Sequence, residues 1–319
     1  MENEVTPTAK ATSWERETIE KLLLADVRER RAARRWRMFR NVVWMLLVGA
    51  LVWALLPDDM PGGSAGSMRP HTAMVSIKGE IADEGEGSAE YVLPALRSAM
   101  EDRGAKALVL LINSPGGSPV QAGLIHDEIL RLRKLHGKPV YAVVEESCAS
   151  AAYYIAVASD KIFVDKASLV GSIGVLINGF GFVGTLDKLG IERRLLTAGE
   201  NKGFLDPFSP QSDRQREHAQ RMLDQIHQQF ITVVRQGRGD RLKESPEMFS
   251  GLFWTGEQAV QLGLADQLGS LDGVARDVVK AAKLVDYTNK TDLLERFATR
   301  VGASAGAGMA RALRSLSWQ

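Results

Sequence analysis

The chain has 319 residues, of which 45% are apolar and 25% charged, with 40 Lys and Arg against 39 Asp and Glu. These proportions are typical of a globular protein and exclude the disordered, collagen-like and disulfide-scaffold classes. A formal charge of +1 argues against a nucleic-acid-binding protein that depends on overall positive charge. Cys148 is the single cysteine, so the sequence offers no intramolecular disulfide and no cysteine-based zinc cluster.

The N-terminal part of the chain has the composition of a membrane anchor. Seven arginines lie within Arg28–Arg40, and Val42–Leu56 follows as fifteen residues without a charge. A helix of fifteen residues spans about 22 Å, and Met38 and Phe39 extend it toward the roughly 30 Å of a bilayer core. Arginines on the N-terminal side place that end in the cytoplasm by the positive-inside rule. A buried core helix and a cleaved signal peptide are the alternatives for the apolar stretch.

These features predict how the chain is divided. Residues 1–40 are a basic cytoplasmic segment, 41–57 a transmembrane signal anchor and 58–71 a linker rich in Gly, Pro and Ser. Residues 72–280 are predicted to form the main domain, and 281–319 a helical C-terminal tail. We expect a single-pass type II protein of the inner membrane, with its domain on the outer, periplasmic side.

Strands and helices are predicted to alternate after the linker. Short aliphatic and β-branched runs are typical of strands, at Met74–Ile77, Ala107–Ile112, Val140–Val144 and Lys161–Val164. Helical stretches lie between them, at Ala89–Met100, Val120–Leu135 and Ser150–Ala158. This alternation predicts an α/β fold with a largely parallel sheet.

The second half of the domain gives three further predictions. Ile191–Leu196 is predicted to be a strand, and Ser212–Arg235 a long helix with a polar face. Thr255 and Gln258 form a capping box, which opens a helix that continues to Leu262 and can end at Gly263.

Gly116 and Gly117 lie at a predicted strand end, in the sequence Ile112-Asn113-Ser114-Pro115-Gly116-Gly117. Glycines at this position allow consecutive backbone N–H groups to face a ligand, as an oxyanion hole or a phosphate cradle requires. The sequence lacks the G-x-x-x-x-G-K-[ST] pattern of a phosphate-binding P-loop at this turn. An ordinary strand-to-helix turn is the alternative interpretation.

Ser150 follows the next predicted strand and begins a helix of small residues. Small neighbours leave room for a substrate, and a helix N-terminus favours developing negative charge, so Ser150 is a candidate nucleophile. A simple N-cap role for Ser147 or Ser150 is the alternative. Cys148 is a rival nucleophile, although a small buried cysteine is the more common case.

Lys202 is a candidate general base, because it lies between glycines and beside an apolar Phe-Leu pair. A lysine of ordinary pKa, near 10.4, is almost entirely charged at pH 7, so a basic role requires burial that lowers its pKa to roughly 7–8. A solvated loop lysine is the alternative. The five histidines offer no obvious partner for Ser150, since none lies on a strand-end loop downstream of it. They also form neither an H-E-x-x-H nor an H-x-x-x-H pair for a metal.

Taken together, five segments resemble the signal peptide peptidase A family of membrane-anchored serine proteases. They are I-N-S-P-G-G, S-C-A-S-A-A-Y-Y, V-G-S-I-G-V, the glycine-bounded Lys202 and W-T-G-E-Q-A-V-Q-L-G-L-A-D, in this order. The resemblance covers residues 72–279. It implies a crotonase/Clp-protease-like fold of repeated ββα units, preceded by one transmembrane helix.

The resemblance also implies roles for individual residues. Ser150 corresponds to the nucleophile, Lys202 to the general base and Ser172 to the serine that orients the lysine amine, while Gly117 corresponds to the oxyanion donor. It implies a serine endopeptidase without cofactor or metal, a homo-oligomer that binds no nucleic acid, and substrates that are signal peptides or unfolded apolar segments. Two alternatives on the same fold are an acyl-CoA hydratase or isomerase and a catalytically silent membrane scaffold.

Overall fold

The computed structural model describes residues 36–48 and 69–288. The chain divides into two compact units, Met1–Ser64 and Ala65–Gln319. In the first unit, residues 36–48 form helix α1. Within the described ranges, no helix combines the length and apolar character that a membrane crossing requires. Most of the predicted anchor and of the C-terminal tail lies outside these ranges.

The second unit is built on an eight-stranded, mostly parallel sheet. The strands are β1 (His71–Lys78), β2 (Ala105–Ser114), β3 (Val140–Ala149), β4 (Lys161–Val164), β5 (Leu169–Gly171), β6 (Phe253–Thr255), β7 (Gln267–Leu268) and β8 (Leu284–Asp286). The main order is β6-β5-β3-β2-β1-β8, with β4 beside β3 and β7 beside β4. Among the strands of residues 69–288, only β5 and β6 pair antiparallel. The predicted α/β class with a largely parallel sheet is therefore confirmed.

Seven α-helices accompany the sheet in the described part of this unit. They are α2 (Ala89–Glu101), α3 (Pro119–His136), α4 (Ala151–Ala156), α5 (Val183–Lys188), α6 (Asp213–Arg238), α7 (Gly256–Gln261) and the short α8 (Leu271–Gly273), which continues as a π-helical turn over Val274–Val278. Side-chain caps fix several helix starts. The predicted capping box of Thr255 and Gln258 is present and opens α7, and Ser212 and Gln215 form a second one at α6.

The strand β2 has apolar side chains on both faces, as expected for a central parallel strand. Leu108, Leu110 and Ile112 join the larger core cluster, which includes residues of α2, α3 and α4. Val109 and Leu111 face the other way and pack in a smaller cluster with Val143, Phe163 and Val274. Because both faces are covered, the strand ends are held in fixed register, and this rigidity positions the site described below.

Three sequence predictions differ from the structure. Residues 191–196 form no strand, and Leu196 is 96% exposed, so an apolar run there has no sheet neighbour. The strand β3 continues to Ala149, which places Ser147 inside a strand and shortens the following helix to Ala151–Ala156. Leu284–Asp286, predicted to belong to the helical tail, instead form β8 and pair with β1.

Candidate active site

Three neighbouring strands end at the same edge of the sheet and carry the predicted site residues. The strand β2 leads to Gly116 and Gly117, β3 leads to Ser150, and β5 leads to Ser172. The register pairs Ala149 with Gly171, so the two serines occupy adjacent positions just beyond the strands. The Ser150 N–H also donates a hydrogen bond to the Gly171 carbonyl oxygen at 2.8 Å. The carboxyl edge of the parallel sheet thus brings these residues together.

The two glycines are required by close backbone approaches. Both have positive φ, 108° at Gly116 and 145° at Gly117. A Cβ atom on Gly116 would lie 2.7 Å from the Ser150 Cβ, and one on Gly117 would collide with the Ile81 carbonyl oxygen. Ile81 pairs with this turn, donating to the Gly116 carbonyl at 2.8 Å and accepting from the Ser118 N–H at 2.6 Å. The glycine turn is therefore locked against the Ser150 backbone.

The Gly117 N–H lies between those two hydrogen bonds and makes none itself with any residue of the described ranges. The Gly116 N–H, in contrast, donates to Ser114 Oγ at 3.1 Å. Gly117 consequently presents a free backbone donor in the turn that packs on Ser150. This is the property that an oxyanion donor needs.

Ser150 has a strained backbone and an unengaged hydroxyl. Its φ of 51° and ψ of −122° lie where non-glycine residues are rare, and such strain costs of order 1–3 kcal/mol. It occupies the N-cap position of α4, yet its side chain makes no capping hydrogen bond. The structure thus does not support the N-cap interpretation of this hydroxyl. A half-buried serine on a strained strand-to-helix turn, with no capping hydrogen bond to its Oγ, has the local geometry of a nucleophile.

Ser172 also has a positive φ, 51°, which is uncommon for a residue other than glycine. Its N–H donates to the Leu252 carbonyl oxygen at 2.8 Å, which ties the turn to the chain just before β6. The indole of Trp254 packs closely against Gly171, the residue before Ser172. A Cβ on Gly171 would lie only 2.9 Å from the Trp254 Cδ1. Ser172 was identified from the family resemblance alone, and the signal that finds it here is its strand-end register with Ser150.

Cys148 does not act as a rival nucleophile in this fold. Its side chain is fully buried in β3, with Ser114 and Val170 on the neighbouring strands. Burial raises the pKa of the Cys148 thiol well above its ordinary value, because the thiolate would be desolvated. The thiol is therefore protonated and inaccessible at neutral pH.

Lys202 lies on an exposed turn and its amine makes no hydrogen bond or ion pair within residues 36–48 and 69–288. The turn is attached to the start of α6. Glu200 forms an ion pair with Arg214 at 3.0 Å, and the rings of Phe204 and His218 are 5.5 Å apart.

The same helix meets the serine edge much further along. Nε2 of His227 lies 3.1 Å from the carbonyl oxygen of Ile173, the residue after Ser172. Between His227 and the two positions that hold the lysine turn, His218 and Arg214, α6 advances about 14–20 Å at 1.5 Å per residue. The structure thus brings Gly117, Ser150 and Ser172 to one sheet edge, while the turn that carries Lys202 contacts a different part of α6.

His227 was not expected near the site, because the sequence places it on a long polar helix without indicating what that helix covers. The contact identifies its role. A carbonyl oxygen only accepts, so Nε2 carries the hydrogen and donates it to Ile173. The ring then fastens the segment after Ser172 to α6. Another histidine, His71, is buried at the opposite edge, where it contacts Tyr287.

Among the described residues, no group of three or more His, Cys, Asp or Glu side chains is arranged to hold a metal ion. The candidate groups described above are the hydroxyls of Ser150 and Ser172 and the backbone N–H of Gly117, with the Lys202 amine on a separate turn.

Comparisons with known proteins agree on one protein family. A model described as peptidase family S49 matches residues 133–285, a range that contains Ser150, Ser172 and Lys202. A putative signal peptide peptidase SppA of Enterococcus faecium is 32% identical over 231 residues, covering 70% of this chain and 67% of that protein. Other related proteins are named as proteases, one of them as a serine protease.

Some matches cover much less of the other protein. A Brucella abortus protein named Na(+)/H(+) antiporter NhaA is 39% identical over 271 residues, or 85% of this chain, but the chain spans about a third (34%) of it. That name describes a protein most of which has no counterpart here. Among solved structures, a mutant of a membrane-bound stomatin-specific protease matches with a TM-score of 0.40 at 18% identity, covering 63% of this chain and 80% of the other.

Proposed function

The chain belongs to peptidase family S49, the signal peptide peptidase A family, and is a serine-type peptidase; from this premise we propose that it hydrolyses peptide bonds with Ser150 as nucleophile and Lys202 as general base. The observation that carries the proposal is the strained Ser150, whose hydroxyl makes no capping hydrogen bond and whose Cβ packs against the glycine turn with the free Gly117 N–H. The crotonase/Clp-protease-like arrangement of ββα units is part of this proposal, as is the transmembrane helix before the domain.

The proposed reaction passes through an acyl-enzyme. The neutral Lys202 amine takes the proton of Ser150 Oγ as this oxygen attacks the carbonyl carbon of the substrate. The carbon–nitrogen bond then breaks, and the ammonium returns its proton to the leaving amine. Water attacks the resulting ester after losing a proton to the amine, and Ser150 regains its hydrogen when the acid leaves. Every proton passes through one side chain, so no further acid is needed.

Backbone donors stabilise the charge that develops on the carbonyl oxygen. The free Gly117 N–H is the proposed donor, and α4 begins at the residue after Ser150. A fixed donor of this kind contributes roughly 3–4 kcal/mol to transition-state stabilisation. Because the glycine turn packs on the Ser150 Cβ, the donor and the nucleophile form one rigid unit.

A second copy of the chain supplies Lys202 in the proposed assembly. The lysine turn contacts Arg214 and His218 of α6, about 14–20 Å along the helix from His227, which contacts the Ser172 edge. This separation along α6 supports a lysine supplied by a second copy. The segment between Ser172 and Lys202 also exposes large apolar side chains, among them Leu176 at 78%, Phe180 at 77% and Leu196 at 96%. Exposed apolar groups of this size mark an interaction surface. Packing between copies would bury them and desolvate the amine, which favours its neutral form.

The proposed substrates are signal peptides or unfolded apolar segments, and the proposed location is the inner membrane. The support for the substrate class is the family to which the chain belongs, together with the name of the E. faecium relative. The support for the location is the arginine-flanked apolar stretch at Val42–Leu56. Ser172 is proposed to hold the incoming amine in line with Ser150.

Covalent labelling tests the proposed nucleophile. The full chain is treated with a peptide phosphonate that carries apolar side chains, and the modified residue is identified by mass spectrometry. We expect one adduct, on Ser150, and none in Ser150→Ala, with Ser147→Ala as the matched control that keeps the adduct. An acyl-CoA enzyme or a silent scaffold would give no adduct on Ser150. That result would contradict the proposed function.

A further inference from the structure

Five parallel strands begin at one edge of the sheet, opposite the edge that carries Ser150. The register pairs His71 with Ala105, Thr72 with Leu284, Leu108 with Val140 and Tyr141 with Lys161, so β1, β2, β3, β4 and β8 start side by side. We call the segments there, residues 69–70, 101–106, 134–139, 158–161 and 280–283, the basic edge.

The basic edge carries seven exposed cationic side chains that form no ion pair with another described residue: Arg69, Arg103, Lys106, Lys134, Lys161, Lys280 and Lys283. They lie on five different segments, so they surround the edge and are not confined to one helix face. A cavity of about 520 Å³ opens between the end of α3 and the start of β3, and Arg133, Lys134 and Lys138 line it.

The acidic groups at this edge are largely occupied. Asp102 accepts hydrogen bonds from the Tyr287 hydroxyl at 2.5 Å and from the Gly104 N–H at 2.7 Å. Asp160 pairs with Arg133. Glu101 is the exposed carboxylate of these segments. The edge therefore presents a strong excess of unneutralised positive charge.

The opposite edge has the reverse character. Glu80, Asp83 and Glu84 follow β1 and are exposed, and Glu146 is exposed in β3 near its end. Of the cations near this edge, Lys78 is paired with Glu145 at 2.9 Å, and the exposed Lys166 follows Asp165 at the end of β4. Strands of eight to ten residues separate the two edges by roughly 26–33 Å. The domain thus has a charge polarity directed along its strands.

We propose that the basic edge binds the anionic lipid surface of the membrane and that the acidic catalytic edge faces away from it. Anionic headgroups attract clustered Lys and Arg within about a Debye length, while they repel the carboxylates near Ser150. The chain also enters the domain at this edge, since Arg69 and Pro70 lead directly into β1. The inference extends the proposed membrane anchoring, because it specifies how the domain is oriented on the bilayer.

The test uses the full chain in vesicles that contain a headgroup-attached quencher. A fluorophore is placed at the basic edge with Ala282→Cys or at the catalytic edge with Ala167→Cys. Both alanines are exposed and uncharged, and the buried native Cys148 does not compete for the label. In phosphatidylglycerol vesicles at low salt, we expect strong quenching at Ala282→Cys and little at Ala167→Cys. The difference is expected to disappear in pure phosphatidylcholine or at high salt.

Charge variants make the same test quantitative. Each cation near an anionic surface contributes about fivefold to the ratio of docked to undocked domains, so Lys106→Gln with Lys134→Gln is expected to lower it about 25-fold. The matched control, Lys166→Gln with Lys188→Gln, removes two exposed lysines elsewhere and is expected to leave the ratio unchanged.

Failure of the anchor and failure of the basic edge give different results. If the anchor proposal is wrong, association with vesicles loses its resistance to salt, but salt-sensitive binding to anionic vesicles through the Ala282 side remains. If the basic edge does not bind lipid, both labels are quenched equally, or the quenching does not depend on lipid charge and salt concentration. Either of the last two results would overturn the inference.

Discussion

The serine edge and the lysine segment of this domain are built in opposite ways. Ser150 and Ser172 follow paired strands whose positions are fixed by a core on both faces, and the glycine turn packs on Ser150. The segment from residue 174 to Lys202 has no strand and exposes its large apolar side chains. The proposed nucleophile Ser150 is thus held in place by packing within a single chain, whereas the proposed base Lys202 lies on an exposed turn.

This difference indicates which part of the site forms when one chain folds and which part requires contacts between copies. Folding of one chain already positions the proposed nucleophile Ser150 and the proposed oxyanion donor Gly117, because the paired strands and the glycine turn hold them. The base requires an additional contact, which the exposed apolar side chains of the lysine segment would provide between copies. Activity would then depend on assembly, while the serine edge would not.

The largest expected effect is that of removing the nucleophile. Ser150→Ala should lower peptidase activity by about 10⁴-fold or more, since a covalent nucleophile is essential for the acyl-enzyme route. The melting temperature should stay the same or rise slightly, because alanine leaves the core unchanged. Hydrolysis of a quenched apolar peptide, with Ser147→Ala as control, measures this. Activity that survives in Ser150→Ala would contradict the assignment of the nucleophile.

Two glycines with similar backbones allow a direct comparison of the two regions. Gly116 has φ 108° and Gly199, near Lys202, has φ 101°. Alanine at Gly116 would press on Ser150, whereas alanine at Gly199 meets nothing within 4 Å. We expect Gly116→Ala to lower kcat by about 10²-fold or more through displacement of the donor turn.

Gly199→Ala should cost roughly 1 kcal/mol of backbone strain and little activity. Steady-state kinetics and thermal melts of both variants measure the difference. Equal effects at the two glycines would remove the distinction between a packed serine edge and an open lysine segment.

The exposed apolar segment gives the next prediction. Leu176→Glu with Leu196→Glu places charges where copies are proposed to meet, so the oligomer should dissociate and activity should fall about 10-fold or more. The unfolding free energy of the monomer should not change, since both side chains are already exposed. Analytical ultracentrifugation and activity assays check this, with the exposed Leu135→Glu on α3 as the control. An unchanged oligomer would exclude this surface as the contact.

The His227→Gln variant distinguishes Lys202 from His227 as the general base. If its ring only fastens Ile173 to α6, His227→Gln should lower activity a few-fold, because the amide can replace the lost donor. The pH–rate profile should remain alkaline-leaning, as a lysine base requires. A fall of about 10³-fold would instead identify His227 as the general base.

The smallest expected effect concerns stability away from the site. Glu128 on α3 bonds Arg97 on α2 and Arg131, and these hydrogen bonds, chiefly that from Arg131, lower the pKa of Glu128 to about 2. The stabilisation is complete above the ordinary pKa of about 4.5 and is lost as pH falls through about 2. Glu128→Gln should cost about 1–2 kcal/mol at pH 7, since the arginines are half exposed. Urea unfolding should show this difference at pH 7 and its disappearance near pH 2.

The sequence predicted most of the fold because strand and helix periodicities agree with their local packing. The strand Lys161–Val164 and the capping box of Thr255 and Gln258 match the structure, since both depend on neighbours close in sequence. The strand expected at Ile191–Leu196 is absent, because apolar periodicity does not specify whether a sheet or another chain covers the residues. The contact of His227 with Ile173 joins residues 54 positions apart, and no local pattern encodes it.

The residues of the candidate site also differ in how far local sequence patterns identify them. Ser150 and Gly117 were identified from local patterns, and the register of β3 with β5 adds Ser172 to them. The position of Lys202 relative to Ser150 depends on contacts between distant segments, which a single sequence does not contain. Its role stays a prediction.

Mixing two inactive variants tests the central claim most directly. Ser150→Ala and Lys202→Ala are prepared separately, combined in equal amounts under conditions that exchange subunits, and assayed on an apolar peptide. If Lys202 of one copy serves Ser150 of another, random assembly should restore about a quarter of the wild-type activity, because half the sites keep the serine and half of their neighbours keep the lysine. If both residues act within one copy, the mixture stays as inactive as its components, which would contradict the account.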